Sequence, residues 1–286
     1  MNRPARTRTI GTVTRGTTNT NRLRRVDRWI AAQPALRGAR DPLVVDLGYG
    51  ASGVTVFELE SRLRRARRHT RHGRVRVLGL EIDPDRAERA SAQLKDVRDG
   101  VTQFRSDAHV SFARGGFEVP TPRGEPATVI RAFNVLRQYD ESEVLDAWRL
   151  MSARLRPGGF VVEGTCDELG RVCSWVTLSP DGPVTLTVSL RLRELERPSI
   201  VAERLPKALI HRNVPGERVH GFLSALDAAW SHSAALSPYG PVQRWIGTIE
   251  HMRDDCWPGG GWRVLGDRSR WRLGEVSLPW SHVAPG

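Results

Sequence analysis

Residues 19–164 alternate between two patterns of hydrophobic and polar positions. Short apolar runs, typical of strands buried on both faces, are separated by stretches in which apolar residues recur every three or four positions, as on one face of a helix. The runs predict five strands, at residues 43–48, 74–83, 101–108, 126–136 and 160–164. Strands that alternate with helices and short turns predict a doubly wound, mostly parallel α/β sheet.

The helices around these strands have recognisable ends. The helix that precedes the first strand stops at Pro34. Asp83 and Pro84 are predicted to begin another helix, because an N-cap carboxylate followed by proline at the first helical position favours that start. A further apolar stripe begins at Val144, and the turn RPGG (156–159) terminates it.

The pattern changes after residue 164. The apolar runs SWVTL and VTLTVSLRL flank the turn SPDGP and predict a β-hairpin, residues 198–257 have a helical pattern, and residues 262–280 have strand character. No Gly/Ser-rich or Pro-rich linker divides the chain. We therefore expect a disordered tail at 1–18 and a single domain at 19–286, with a core at 42–164 and a C-terminal hairpin and helical elaboration at 165–286.

The composition adds a question about partners. The net charge of +12 makes nucleic acid a candidate partner, although all but two of the 44 cationic residues are arginine, as a GC-rich coding sequence would also produce. Three cysteines without a C-x-x-C pair argue against a disulfide framework or a metal site, and indicate the reducing cytoplasm. No apolar stretch approaches the length of a membrane span.

The segment VVDLGYGASG, residues 44–53, carries the most informative motif. Gly48, Gly50 and Gly53 form the G-x-G-x-x-G spacing of dinucleotide-binding turns. Asp46 precedes the first glycine by two positions, where its carboxylate would repel a pyrophosphate held at the following helix N-terminus. The same carboxylate would favour a ligand whose nearest group is an ammonium, as in S-adenosylmethionine, which has no phosphate.

This segment resembles the glycine-rich motif of class I S-adenosylmethionine-dependent methyltransferases, a Rossmann-like family. The third glycine of that family stands where this chain has Ser52. Three later segments follow in the order of the family: VLGLEIDPDRAERA, RSDA, and a stretch from VIRAFNVL to LRPGGFVVEG. The resemblance covers roughly residues 42–164.

The resemblance implies S-adenosylmethionine as cofactor and assigns roles to its contacts. Glu81 would bind the ribose hydroxyls, Ile82 would pack on the adenine, Asp107 would accept from the adenine amino group, and Ala108 would donate its backbone N–H. Other contacts would come from the glycine-rich turn and from the end of the fourth strand. These are Asp46, Gly48, Tyr49, Gly50 and Ser52 in the turn, and Ala132, Phe133 and Asn134 beside the methyl donor.

The catalytic residues cannot be identified from the sequence, because methyl transfer needs a general base only when the nucleophile must lose a proton. Glu163, expected at the carboxyl end of the fifth strand, and His211, in a proline-bounded segment, are candidates. We expect a methyltransferase acting on a small molecule. The alternatives are an RNA methyltransferase, an NAD-dependent dehydrogenase, and a non-catalytic methyltransferase-like scaffold.

Overall fold

The computed structural model describes residues 9–17, 19–67, 74–253 and 262–286. These residues form two compact units. Unit 1 consists of Met1–Ala132 and Asp146–Phe160, and unit 2 consists of Phe133–Leu145 and Val161–Gly286. Residues 133–145 and 161–164 of the predicted core therefore belong to unit 2.

Unit 1 is built on parallel strands in the order β3-β2-β1-β4. The strands are β1 (Leu43–Leu47), β2 (Arg76–Glu81), β3 (Val110–Arg114) and β4 (Ala127–Phe133, whose last residue belongs to unit 2). The helices are α1 (Arg24–Ala32), α2 (Pro34–Gly38), α3 (Val54–Arg67), α4 (Pro84–Arg98) and α5 (Val144–Ser152, which begins in unit 2). Because the strand order reverses at β1, ligands are expected at the carboxyl ends of β1 and β4. The order confirms the predicted doubly wound parallel sheet.

Local sequence explains the elements that border this edge. All five residues of β1 are buried, as expected of a strand covered on both faces. Asp83 caps α4 by accepting from the backbone N–H groups of Asp85 and Arg86, and Pro84 occupies the first helical position, which confirms the predicted start of this helix. Helices α3 and α4, which follow β1 and β2, therefore begin at the carboxyl edge of the parallel strands.

Unit 2 is built on antiparallel strands in the order β5-β6-β7-β8. The strands are β5 (Leu155–Cys166, which begins in unit 1), β6 (Val172–Ser179), β7 (Gly182–Leu190) and β8 (Glu275–Pro279). The helices are α6 (Lys207–Ile210), α7 (Arg218–His232), α8 (Pro241–Arg253) and α9 (Arg268–Trp271). The pairing of β6 with β7 confirms the predicted hairpin, and α7 and α8 confirm the helical pattern after residue 198.

Three predictions of the sequence differ from the structure. The third strand is Val110–Arg114 rather than 101–108, because the mixed apolar and polar residues of 101–108 lie in turns and the buried pairing with β2 begins at Val110. The fifth strand begins earlier and ends later than 160–164. In the tail expected to be disordered, residues 9–17 hold hydrogen bonds to the rest of unit 1, while residues 1–8 and 18 lie outside the described residues.

Candidate cofactor site

The glycine turn between β1 and α3 has its backbone N–H groups directed at protein acceptors. Gly50 has φ 86°, a conformation that glycine adopts without strain. Four N–H groups of the turn donate to nearby acceptors. The pairs are Gly50 to a Glu81 carboxylate oxygen (2.9 Å), Ala51 to the Gly16 carbonyl (2.8 Å), Gly53 to the Gln93 side-chain oxygen (2.9 Å) and Val54 to the Ser52 hydroxyl (3.3 Å). These donors are therefore engaged by the protein itself.

Glu81 lies at the carboxyl end of β2, directly beside this turn. Its residue is only 1% exposed. One carboxylate oxygen accepts from Gly50, and the other accepts from the backbone N–H of Ile82 at 3.0 Å. The second oxygen also accepts from the Asp83 N–H at 3.4 Å, so the oxygen that accepts from Gly50 is the one that retains a lone pair. Glu81 thus stands where the resemblance places the group that binds a ribose.

Tyr49 and Ile82 flank the turn in different environments. Tyr49 is buried and packs edge-on against Phe112, with the ring centroids 5.2 Å apart. Burial raises the pKa of its hydroxyl, as do the nearby carboxylates of Glu81 and Asp46. Ile82 is half-buried immediately after Glu81. The Gly48 N–H donates to the Leu80 carbonyl at 2.8 Å, which ties the start of the turn to β2.

Asp46 differs from its expected role. We expected its carboxylate to face a ligand ammonium, but the residue is 2% exposed and its two oxygens are held by Arg131 on the neighbouring strand β4. Arg131 Nε donates to Oδ1 at 2.9 Å, Nη2 donates to Oδ2 at 2.5 Å, and the Thr55 hydroxyl donates to Oδ2 at 3.1 Å. The carboxylate is therefore paired with Arg131 inside unit 1.

The ion pair extends to helix α1. The fully buried Arg131 also bonds to Asp27, which in turn accepts from Arg62 of α3 at 2.5 Å. Arg62 lies 3.2 Å from a Glu58 carboxylate oxygen. Burial lowers the pKa of Arg131, but the carboxylates of Asp27 and Asp46 outweigh it and raise the pKa above its usual value. Burial raises the pKa of Asp27, although Arg131 and Arg62 oppose this.

Gln93 is a contributor that the sequence did not reveal. It lies on α4, forty positions from the turn, and its side-chain oxygen accepts from Gly53 while its amide nitrogen donates to the Ser52 hydroxyl at 3.1 Å. Gln93 therefore satisfies an N–H group at the start of α3 that the helix cannot satisfy. The Ser52 hydroxyl is thus engaged with Gln93 and with the Val54 N–H.

Asp107 and Ala108 are misplaced by the sequence interpretation. Both precede β3, and the neighbouring His109 carbonyl accepts from Val77 at the start of β2. They therefore lie at the amino end of the strands, away from Glu81. Asp107 is paired with Arg64 and Arg105 at 2.8 and 2.9 Å, and these hydrogen bonds hold its pKa well below its usual range.

Other residues occupy the carboxyl end of β3. After Arg114 the chain continues through Gly115 and Gly116 to Phe117 and Glu118. Glu118 accepts from the backbone N–H of Gly116 at 3.0 Å, and from Ile10 at 2.7 Å through its other oxygen. The Phe117 N–H donates to the Ile10 carbonyl at 2.9 Å. A carboxylate and a backbone donor therefore stand side by side at this end of the strand.

The residues expected beside the methyl donor fall in both units. Ala132 is buried in unit 1. In unit 2, Phe133 is buried with its ring centroid 6.3 Å from that of Trp175. Asn134 has φ 61°, and its side-chain oxygen accepts from the Cys166 N–H at 3.0 Å. Asn134 therefore connects the end of β4 to the end of β5.

The two candidate bases have unlike surroundings in unit 2. Glu163 lies inside β5, opposite Val176, and is fully buried, so the expectation that it ends the strand is wrong. His211 is exposed, with Nε2 3.2 Å from the Lys207 ammonium. A cavity of about 640 Å³ lies beyond β5, lined by Asp167, Glu203 and several arginines.

The described residues contain neither a metal-binding cluster nor a membrane-spanning helix. No group of three or more His, Cys, Asp or Glu side chains that could hold a metal ion was found among residues 9–17, 19–67, 74–253 and 262–286. Across the same parts of the chain, no helix has both the length and the apolar character needed to cross a bilayer.

Comparisons with known proteins gave structural likenesses only. No family model matches the sequence, and no curated protein matches it. Among solved structures, the mitomycin 7-O-methyltransferase MmcR is 23% identical over 50% of this chain and 36% of its own, with a TM-score of 0.35.

Two further structures are similar to a comparable degree. The methyltransferase CcbJ from Streptomyces caelestis is 16% identical over 60% of this chain and 66% of its own, with a TM-score of 0.36. The magnesium protoporphyrin IX methyltransferase ChlM from Synechocystis PCC 6803, solved with bound SAH, is 14% identical over 51% of this chain and 55% of its own, with a TM-score of 0.37. The matched part is less than two thirds of each of the three solved chains.

Proposed function

We propose that the glycine turn of unit 1 binds S-adenosylmethionine and that the protein is a methyltransferase acting on a small molecule. One observation carries the proposal. Gly50, Gly53 and Val54 already donate their N–H groups to the side chains of Glu81, Gln93 and Ser52. A pyrophosphate bound at a helix N-terminus needs such donors for itself, whereas S-adenosylmethionine carries no phosphate.

The residues at the carboxyl ends of β2 and β3 suit an adenosine. The Glu81 carboxylate oxygen that accepts from Gly50 has a lone pair left to accept from a ribose hydroxyl. Glu118 and the Phe117 N–H offer an acceptor beside a donor, and this pair replaces Asp107 and Ala108 as the candidates that recognise adenine. Ile82, half-buried beside Glu81, is positioned to pack on the base.

The protein's role in this reaction would be to align the acceptor atom with the methyl group and to exclude water. The bound cofactor would supply an electrophilic methyl group on a sulfonium. An in-line displacement then depends on alignment of the acceptor atom, so no buried base is needed unless the nucleophile carries a proton. Neither the buried Glu163 nor the exposed His211 is required by this proposal.

The cavity in unit 2 supports a small acceptor. Its volume of about 640 Å³ falls within the range of small-molecule sites, roughly 300–1,000 Å³. Its lining carries both signs of charge, including Asp167, Glu203 and Arg197. We therefore propose a polar small molecule as the acceptor class.

The arginines at the end of helix α3 give the RNA alternative little support. Arg62 pairs with Asp27 and Glu58, and Arg64 pairs with Asp107 and Glu60. Arg67 is buried and donates to backbone carbonyls of residues 36–39. The charges of these three arginines are thus used within unit 1 and are not arranged as a phosphate-binding surface.

Calorimetric titration of the purified chain with S-adenosylhomocysteine and with NAD tests the proposal. We expect saturable micromolar binding of S-adenosylhomocysteine and no heat of binding with NAD. Binding of NAD alone would favour a dehydrogenase. Binding of neither ligand would favour the non-catalytic scaffold.

A further inference from the structure

The N-terminal segment 9–17, here called the strap, is bound along the edge of unit 1 that holds the proposed cofactor site. Its successive contacts are with groups that follow β3, β2 and β1. Ile10 bonds to Phe117 and Glu118, the Thr14 carbonyl accepts from Arg86 at 2.8 Å, and the Gly16 carbonyl accepts from Ala51 at 2.8 Å. The strap therefore crosses the carboxyl ends of these three strands.

The backbone of Ile10 offers one donor and one acceptor side by side, as one edge of adenine does. The Ile10 N–H donates to the Glu118 carboxylate, and the Ile10 carbonyl accepts from the Phe117 N–H. Adenine likewise presents an amino donor next to a ring-nitrogen acceptor. The strap backbone thus uses the pair of groups that would otherwise recognise the base.

The fit of the strap at this position is close. A Cβ atom on Gly116 would lie 2.0 Å from the Ile10 carbonyl oxygen, so only glycine leaves room for the strap there. Because Gly116 has no side chain, Ile10 can approach closely enough to hydrogen-bond to Glu118 and Phe117. The strap is therefore in direct van der Waals contact with the chain that follows β3.

The strap also acts near Glu81. Arg86 Nη2 donates to the Thr14 carbonyl, while Nη1 of the same guanidinium lies 3.9 Å from a Glu81 carboxylate oxygen. Glu81 is almost completely buried with the strap in this position. A ribose could reach Glu81 only after a rearrangement at this edge.

We propose that the strap is an autoinhibitory segment that competes with the cofactor for the adenine-recognising groups. The inference depends on the function proposed above. With the strap bound, Ile10 occupies Glu118 and Phe117, and the cofactor binds after the strap has left. The apparent affinity is then the intrinsic affinity multiplied by the fraction of molecules in which the strap is detached.

The test uses point variants of the full chain. Ile10→Pro removes the N–H that donates to Glu118 and weakens the strap at its first contact. Ile10→Ala is the matched control, because it keeps both backbone groups and shortens a side chain that is 40% exposed. The dissociation constant of S-adenosylhomocysteine is measured by calorimetry for the wild type and both variants.

We expect Ile10→Pro to bind S-adenosylhomocysteine about tenfold more tightly than the wild type, as a tenfold rise in the detached fraction would produce, and Ile10→Ala to bind like the wild type. Equal or weaker binding by Ile10→Pro, beside a wild type that binds, would overturn the inference and leave the proposed function intact. If neither binds, both are overturned.

Hydrogen exchange provides a second readout in the wild type. If the strap leaves when ligand binds, saturating S-adenosylhomocysteine will accelerate exchange of the Ile10 amide, because this amide loses its bond to Glu118. Unchanged or slower exchange at Ile10 in the bound protein would show that the strap stays in place, which contradicts competition.

Discussion

Arg131 and Asp46 lie opposite each other on the parallel strands β4 and β1, and the guanidinium donates two hydrogen bonds to the carboxylate, at 2.9 and 2.5 Å. Both residues are buried near the carboxyl ends of their strands, and the strand of Asp46 leads into the glycine turn. Asp27 of α1 bonds to the same guanidinium. The pair therefore fixes α1, β1 and β4 relative to one another within unit 1.

Removing the guanidinium will destabilise the protein strongly. Arg131→Met fills a similar volume but leaves Asp46 and Asp27 buried without their shared partner. Breaking a buried ion pair in this way costs about 3–5 kcal/mol. Urea unfolding at neutral pH measures the loss.

A surface arginine provides the control for this change. Arg149 is 75% exposed in a pair with Asp146, so Arg149→Met should alter the free energy of unfolding by no more than about 0.5 kcal/mol. A similar loss in both variants would show that the buried network does not have the importance assigned to it.

The stability contributed by Asp27 will depend on pH. Because burial raises the pKa of Asp27 in the native state, the native protein binds the proton at a higher pH than the unfolded chain. This contribution is fully present below 3.8, the usual pKa of the side chain, and is lost as the pH rises through the native pKa. The free energy of unfolding of the wild type minus that of Asp27→Asn should therefore increase as the pH falls toward 3.8. Urea unfolding at several pH values measures this difference, and a constant difference, or a decreasing one, would contradict the expected direction.

Substitutions of Glu81 and Asp107 test which end of the parallel strands binds the cofactor. Glu81→Gln should weaken the binding of S-adenosylhomocysteine roughly tenfold or more, because a hydrogen bond to a charged group contributes about 1.5–3 kcal/mol. Asp107→Asn should leave the dissociation constant unchanged, since Asp107 lies at the amino end of the strands. Calorimetry on both variants measures the contrast. Loss of affinity in Asp107→Asn with normal affinity in Glu81→Gln would reverse the site assignment.

Gln93 should stabilise the start of α3. Gln93→Ala removes the acceptor of the Gly53 N–H and should lower the free energy of unfolding by about 1 kcal/mol, as loss of a helix cap does. Gln93→Glu keeps an acceptor at this position and adds a negative charge near the helix N-terminus, which is favourable. We expect the glutamate variant to unfold like the wild type in urea, and a loss as large as that of alanine would exclude the capping role.

The sequence predicted the elements whose signals are local. β1 followed from a short apolar run, the start of α4 from Asp83 and Pro84, and the β6–β7 hairpin from its turn. The alternation also predicted a strand at 74–83, and the structure ends this strand at Glu81. In each case the residues that determine the structure are neighbours in the chain.

The features that the sequence did not predict depend on distant partners. Asp46 was identified, but its pairing with Arg131 required the register of β1 against β4. An arginine within the apolar run ATVIRAF was the available signal, because a buried cation needs a carboxylate partner. Asp107 was misplaced because the third strand was predicted at 101–108, whereas β3 is Val110–Arg114. Asp107 therefore precedes the strand and lies at its amino end instead of its carboxyl end. The binding of residues 9–17 depends on Phe117, Arg86 and Ala51, which no local pattern connects to the strap.

A crystal structure of the wild-type chain with S-adenosylhomocysteine at saturating concentration tests the central claim most directly. We expect the ribose hydroxyls within hydrogen-bonding distance of the Glu81 carboxylate and the adenine beside Phe117 and Glu118. A turn that remains without ligand under these conditions, or S-adenosylhomocysteine bound away from Glu81, would contradict the account.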